Sequence, residues 1–162
     1  MRLTHISGVT LIELCVALTV VAVLTTLAAP GFRTALRTSA MRSAAYDLMG
    51  DLQQTRGLAI LEGRSAVLCV AGAAGCGTSP AAGWLAFVEL AGISRPVANR
   101  VLPEGLEIRA SRARVTFRPN ALAADAGTLT ICDRTGIARP RSIVISRTGR
   151  PRFGTPATEE CR

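Results

Sequence analysis

From Val9 to Ala29 the chain runs through 21 residues of almost unbroken apolar character, and Glu13 is the only charge among them. A helix of that length reaches about 31 Å at about 1.5 Å per residue, which matches a hydrocarbon core of about 30 Å. A secretory signal peptide has a shorter apolar core, followed by a small-residue cleavage site. Here the Gly-containing break, Ser7-Gly8, precedes the run. Residues 9–29 therefore read as a transmembrane helix kept in the mature chain, with Pro30 and Gly31 disturbing the helix near the membrane surface. Glu13 calls for a partner, because an ionisable group within a span is costly and is by default functional. A cut after Gly8 would give Val9 a new α-amino group one turn from Glu13. A neighbouring subunit could offer the same amine across an interface. A carboxylate in the first turn also suits the helix dipole. The plainer alternative is an anchor whose Glu13 sits in the headgroup layer.

Beyond the run, 133 residues remain from Pro30 to Arg162, enough for one core. An apolar stripe of Met41, Ala45, Leu48, Leu52, Thr55 and Ala59 steps by fours and threes, with Arg42, Asp47, Asp51 and Arg56 mostly off it. One long helix is expected to end near Glu62, with Gly63 as its stop; its amphipathic second half is 30–62. The rest, 63–162, reads as strands at 65–71, 83–89, 113–118, 127–132 and 141–147, with shorter runs near Arg100–Leu102 and Leu106–Arg109. Trp84 and Phe87 are expected to fill the core between helix and sheet. The fold class is α+β: a long amino-terminal helix on antiparallel sheet.

All 19 basic residues are Arg, and their distribution is uneven. Residues 9–108 are neutral overall, whereas residues 109–152 carry a net +8. Within "SRTGRPRF", Gly149 turns the chain and Pro151 stiffens it, so Arg147, Arg150 and Arg152 should project close together. Arg139 and Arg141 extend the patch upstream. Guanidinium groups take phosphate bidentately and stay charged, so the segment is a candidate DNA-binding face. A solvated turn of a basic protein is the plainer reading of such a run. Phe153 is the one aromatic placed to stack on a base.

Cys69, Cys76, Cys132 and Cys161 make an even set outside the apolar run, compatible with two disulfides in an oxidising compartment. Cys69 with Cys76 would close the small-residue loop, and Cys132 with Cys161 would pin the tail; four free buried thiols are the alternative. No Cys-x-x-Cys or His pair suggests a metal, and no cofactor is expected. The only histidine, His5, precedes the proposed cut, and lysine is absent. The commonest general base and the Ser-His and Cys-His nucleophile pairs are thereby missing, so catalysis is not expected.

"Gly8-Val9-Thr10-Leu11-Ile12-Glu13" resembles the cleavage motif of type IV prepilins and type II secretion pseudopilins. The short leader 1–8 with its Arg2 and the apolar run closed by Pro30 fit that pattern; Val9 stands where the family usually has Phe. The resemblance implies cleavage by a prepilin peptidase between Gly8 and Val9, N-methylation of Val9, and filament assembly guided by Glu13. Across "AVLCV…GCG…GWLAFVE", "LTICDRTG" and "ARPRSIVISRTGRPRF" the soluble part is similar to the GspH/FimT family of minor pilins and pseudopilins. This implies a single-pass inner-membrane protein with its carboxy-terminal domain in the periplasm, assembled with other pilins. A bare count of Arg33, Arg37 and Arg42 against Arg2 points to the opposite topology; the motif and the cysteines favour the periplasm. In DNA-uptake members a Gly-Arg-x-Arg motif contacts DNA, here Gly149-Arg150-Pro151-Arg152. The expected function is a minor pilin near a type IV pilus tip that binds DNA in natural transformation. The alternative is minor pseudopilin H of the type II secretion system, or a pilus-priming subunit without DNA binding.

Overall fold

A computed structural model describes residues 9–72, 75–90, 93–120, 126–155 and 161, with residues 27–30 described in their backbone only. The leader and Gly8 lie outside the described residues. The chain divides into two units, residues 1–36 and residues 37–162.

One helix, α1, spans Leu11–Leu61, close to the end expected from the stripe. It starts on a capping box. Thr10 Oγ1 accepts the Glu13 backbone N–H at 3.3 Å, and the Glu13 carboxylate accepts the Thr10 N–H at 3.2 Å and hydroxyl at 3.1 Å. Thr-x-x-Glu is the spacing that satisfies two otherwise orphaned donors of a first turn. The described side chains from Val9 to Thr26 are all exposed within the monomer. No single helix among the described residues is long and apolar enough to cross a membrane; Leu11–Thr26 and Gly31–Leu61 meet that test only as a pair.

In the second unit the stripe is buried as its spacing demands: Met41, Ala45, Leu48, Leu52, Thr55 and Ala59. Two antiparallel sheets complete the unit. In the first, β1 (Ala66–Gly72) lies between β3 (Gly83–Leu90) and β6 (Arg114–Phe117), β3 pairs β4 (Ile93–Val101), and β2 (Gly75–Cys76) folds back on the end of β1. Gly83 is required where β3 meets β4, since a Cβ there would stand 2.0 Å from the Arg100 carbonyl oxygen. The second sheet has the order β5 (Leu106–Ala110), β7 (Gly127–Asp133), β8 (Arg141–Ile145), β9 (Pro151–Phe153). Leu68, Val70, Trp84, Ile108, Ile131, Ile143 and Ile145 join the helical stripe in one core.

The structure corrects two expectations about that core. Phe87 does not share the buried face with Trp84. Side chains alternate along a strand, so Trp84, Ala86 and Val88 are buried while Phe87 is half-buried with the Arg114 guanidinium 5.8 Å above its ring. Asp51 is buried despite lying off the stripe. Its Oδ2 accepts the Trp84 indole N–H at 2.8 Å and the Arg100 Nε–H at 3.2 Å.

Both cysteine pairs are joined, Cys69 to Cys76 and Cys132 to Cys161. The first closes the β1–β2 hairpin; the second ties the end of β7 to the tail. Cys15 is a free, exposed thiol on α1.

Candidate nucleic-acid interface

The arginines singled out in the sequence lie on the last hairpin, β8–β9, at the edge of the second sheet. Its turn is built from Ser146 to Arg150. Gly149 takes a φ of 70° and donates its N–H to the Ser146 carbonyl at 2.9 Å, and Ser146 N–H reaches the Arg150 carbonyl at 3.2 Å. A three-residue loop with glycine in the left-handed region is a favoured hairpin connection. The Ser146 hydroxyl adds a bond from the Arg150 N–H at 3.2 Å and pairs with Thr148 Oγ1 at 2.8 Å. Arg147 and Arg150 are held exposed on this loop.

β9 places the third member. In register, Arg152 stands opposite Val144 and Phe153 opposite Ile143. Successive side chains take opposite faces, so Arg152 lies beside Val144, Ser142 and Thr128, and Phe153 lies on the face toward α1. β9 was missed in the sequence because Pro151 and three residues are a weak strand signal. A proline is tolerated there since β9 is an edge strand with one ladder to serve.

Arg139 and Arg141 lie at the far end of β8, separated from the turn by that strand, about 17 Å for five residues at about 3.4 Å each. The loop before them is organised by Asp133. Its carboxylate accepts Ala138 N–H at 2.9 Å, Thr135 N–H at 3.0 Å and the Thr135 hydroxyl at 2.7 Å. Burial alone would push this carboxyl up. The bonds from Ala138 and Thr135, with Arg37 nearby, outweigh burial and leave the carboxyl below its ordinary range.

The five arginines are thus spread over the β8–β9 hairpin and the loop before it: Arg147 and Arg150 at the turn, Arg139 and Arg141 at the far end, and Arg152 on the sheet face opposite Arg141. All five are exposed, and none forms an ion pair among the described residues. Other arginines are neutralised: Arg95 by Glu62, Arg100 by Asp51, Arg109 by Glu107 and Arg114 by Glu89. Arg109 and Arg114 belong to the basic segment by sequence yet leave the patch in the fold.

A second aromatic beside the arginines, Tyr46, was missed. Tyr46 of α1 meets Phe153 edge to face, with ring centroids 5.3 Å apart. Arg42 and Arg141 line the same depression. The legible signal for Tyr46 was its place one helical turn from Arg42; the 106 residues between Tyr46 and Phe153 hid their meeting.

The fold and its arginine-bearing hairpin define a pilin-like α+β protein: one long helix backed by antiparallel sheets. A family model described as "Type II transport protein GspH" matches residues 44–149, more than half of the chain, and the chain belongs to that family. The crystal structure of the Pseudomonas aeruginosa type IV minor pilin FimU is similar at a TM-score of 0.57 and 22% identity, covering 73% of this chain and 90% of that one. The minor pseudopilin EpsH from the type 2 secretion system of Vibrio cholerae is similar at a TM-score of 0.56 and 14% identity, covering 72% and 98%. At such identities these likenesses speak to fold alone. A search of curated protein sequences returns no match.

Proposed function

We propose that this chain is a membrane-anchored minor pilin of a type IV pilus, near the filament tip, that offers the β8–β9 hairpin to DNA. The observation that carries the DNA reading is that Arg139, Arg141, Arg147, Arg150 and Arg152 are all exposed and without an acidic partner among the described residues. Uncompensated guanidinium groups on a stiff edge hairpin suit phosphate contacts, which set affinity without reading sequence.

Assembly rests on the other end of the chain. The apolar side chains of the helix from Leu11 to Leu24 are exposed, and a bilayer or a bundle of like helices would cover them. A prepilin peptidase cuts between Gly8 and Val9, the Val9 amine is methylated, and Glu13 guides docking onto neighbouring pilins. The carboxy-terminal domain stands in the periplasm of a single-pass inner-membrane protein, where Cys69–Cys76 and Cys132–Cys161 are stable.

DNA affinity of the full chain in detergent micelles, measured by fluorescence anisotropy, tests the reading. Arg150→Ala with Arg152→Ala should weaken binding severalfold. An unmodified chain that binds no DNA, or a double variant that binds equally well, removes the DNA role and leaves the filament role standing. A second reading is favoured by the family description itself: minor pseudopilin H of type II secretion, without DNA binding. Incorporation into a secretion pseudopilus rather than a pilus, seen by affinity labelling of isolated filaments, selects it.

A further inference from the structure

The depression between α1 and the β8–β9 hairpin is lined by Arg42, Ala45, Tyr46, Arg141 and Phe153, with a volume of about 280 Å³. Its composition is unusual for this surface. Tyr46 is 66% exposed and Phe153 44%, so two large rings are left partly open to water beside two guanidinium groups. Neither Arg42 nor Arg141 has an ion-pair partner among the described residues. Arg42 and Tyr46 are one helical turn apart and therefore share a face of α1. β8 and β9 bring Arg141 and Phe153 to the same side of their sheet by alternation.

The geometry points to this depression as a site for one unpaired nucleotide, the base on the aromatic pair and its phosphate on Arg42 or Arg141. The two rings stand 76° apart. They form a corner in which a flat heterocycle can lie parallel to one ring and meet the other at its edge, an arrangement aromatic quadrupoles favour. The volume lies at the lower end of small-molecule pockets, room for a single nucleotide unit. Two free guanidinium groups add bidentate phosphate contacts and exclude a neutral aromatic ligand as the best fit. A duplex keeps its base faces stacked, and opening one costs a few kcal/mol. The pocket therefore favours single-stranded over double-stranded DNA, while the hairpin arginines hold flanking phosphates of either. This inference rests on the DNA-binding reading and adds to it the kind of strand that is held.

The test uses the full chain in detergent micelles and three probes of equal length: an oligothymidylate, an abasic phosphodiester strand and a blunt duplex. Tyr46→Ala should weaken oligothymidylate binding by about fivefold or more, the low end of one lost base stack, and leave the abasic strand and the duplex unchanged. Tyr46→Phe, which keeps the ring, should restore the oligothymidylate affinity. Photo-crosslinking of a halogenated single strand should label Tyr46 or Phe153. Equal affinity of the unmodified chain for oligothymidylate and the abasic strand overturns the nucleotide site while leaving the hairpin arginines in place. A Tyr46→Ala loss that is the same on all three probes also overturns it, since charge or structure alone would then be at work. No binding of any probe by the unmodified chain removes this inference and the DNA reading together.

Discussion

The indole N–H of Trp84 on β3 donates to the Asp51 carboxylate on α1 at 2.8 Å, within the core that joins helix to sheet. The Arg100 guanidinium from β4 reaches the same oxygen at 3.2 Å. A buried carboxylate is tolerable when paired and hydrogen-bonded, and here one oxygen links three elements. Removing the acceptor leaves the indole donor unsatisfied, at a cost of about 1–3 kcal/mol. Asp51→Ala should therefore lower unfolding stability by that order in denaturant titrations, and Asp51→Asn, which keeps an acceptor, by less. An unchanged midpoint for Asp51→Ala would show that the link is dispensable.

The loop that delivers Arg139 and Arg141 should be acid-sensitive. Asp133 titrates below its ordinary value of 3.8 because the hydrogen bonds from Ala138 and Thr135 outweigh its burial. A carboxyl with a lowered folded-state value contributes stability that is present above the unfolded value and lost as pH falls through the folded one. Denaturant midpoints of the unmodified chain should hold above about pH 5 and decline below about pH 4. Asp133→Asn should be less stable at neutral pH and show a shallower acid decline; parallel curves for the two would contradict this assignment.

The two disulfides should differ in weight. Cys132–Cys161 spans 29 positions and Cys69–Cys76 spans seven. Loop-closure entropy predicts about 3.5 kcal/mol for the longer and about 2.5 for the shorter. Paired Cys→Ser variants compared by thermal unfolding should rank in that order. The reverse ranking would place the main contribution in the native state rather than in the unfolded chain.

Salt should report the hairpin arginines. If Arg147, Arg150 and Arg152 each neutralise one phosphate, log K for duplex DNA falls against log salt with a slope of roughly −2.7, and each Arg→Ala change makes it shallower by roughly 0.9. Anisotropy titrations across salt concentrations measure this directly. A slope that none of the three substitutions alters would assign the contacts to other arginines.

Processing makes a prediction independent of DNA. Chain isolated from assembled filaments should begin at Val9 and carry a methyl group on its amine, as mass spectrometry would read. Filament material that retains residues 1–8 would remove the filament role proposed for Glu13.

Much of the architecture was legible from periodicity. The helical stripe from Met41 to Ala59 needed only a spacing of threes and fours, and each of its members is buried. The strands with β-branched and aromatic runs appeared near their expected places because a pleated, half-buried surface selects such residues. The Thr10–Glu13 capping box was not read from the sequence, although its Thr-x-x-Glu spacing is complete within four residues.

What periodicity could not supply is which distant side chains meet. Asp51 was an ordinary off-stripe acid until β3 brought Trp84 to it. Arg114 counted toward a basic segment until β3 placed Glu89 beside it. Tyr46 and Phe153 became neighbours only when α1 and the edge of the second sheet closed on one core. Chain-local patterns arise from the fixed geometry of a helix or strand and are therefore written along the sequence. Charge balance and aromatic contacts depend on long-range packing, which alone decides which arginines are neutralised and which remain open to a ligand.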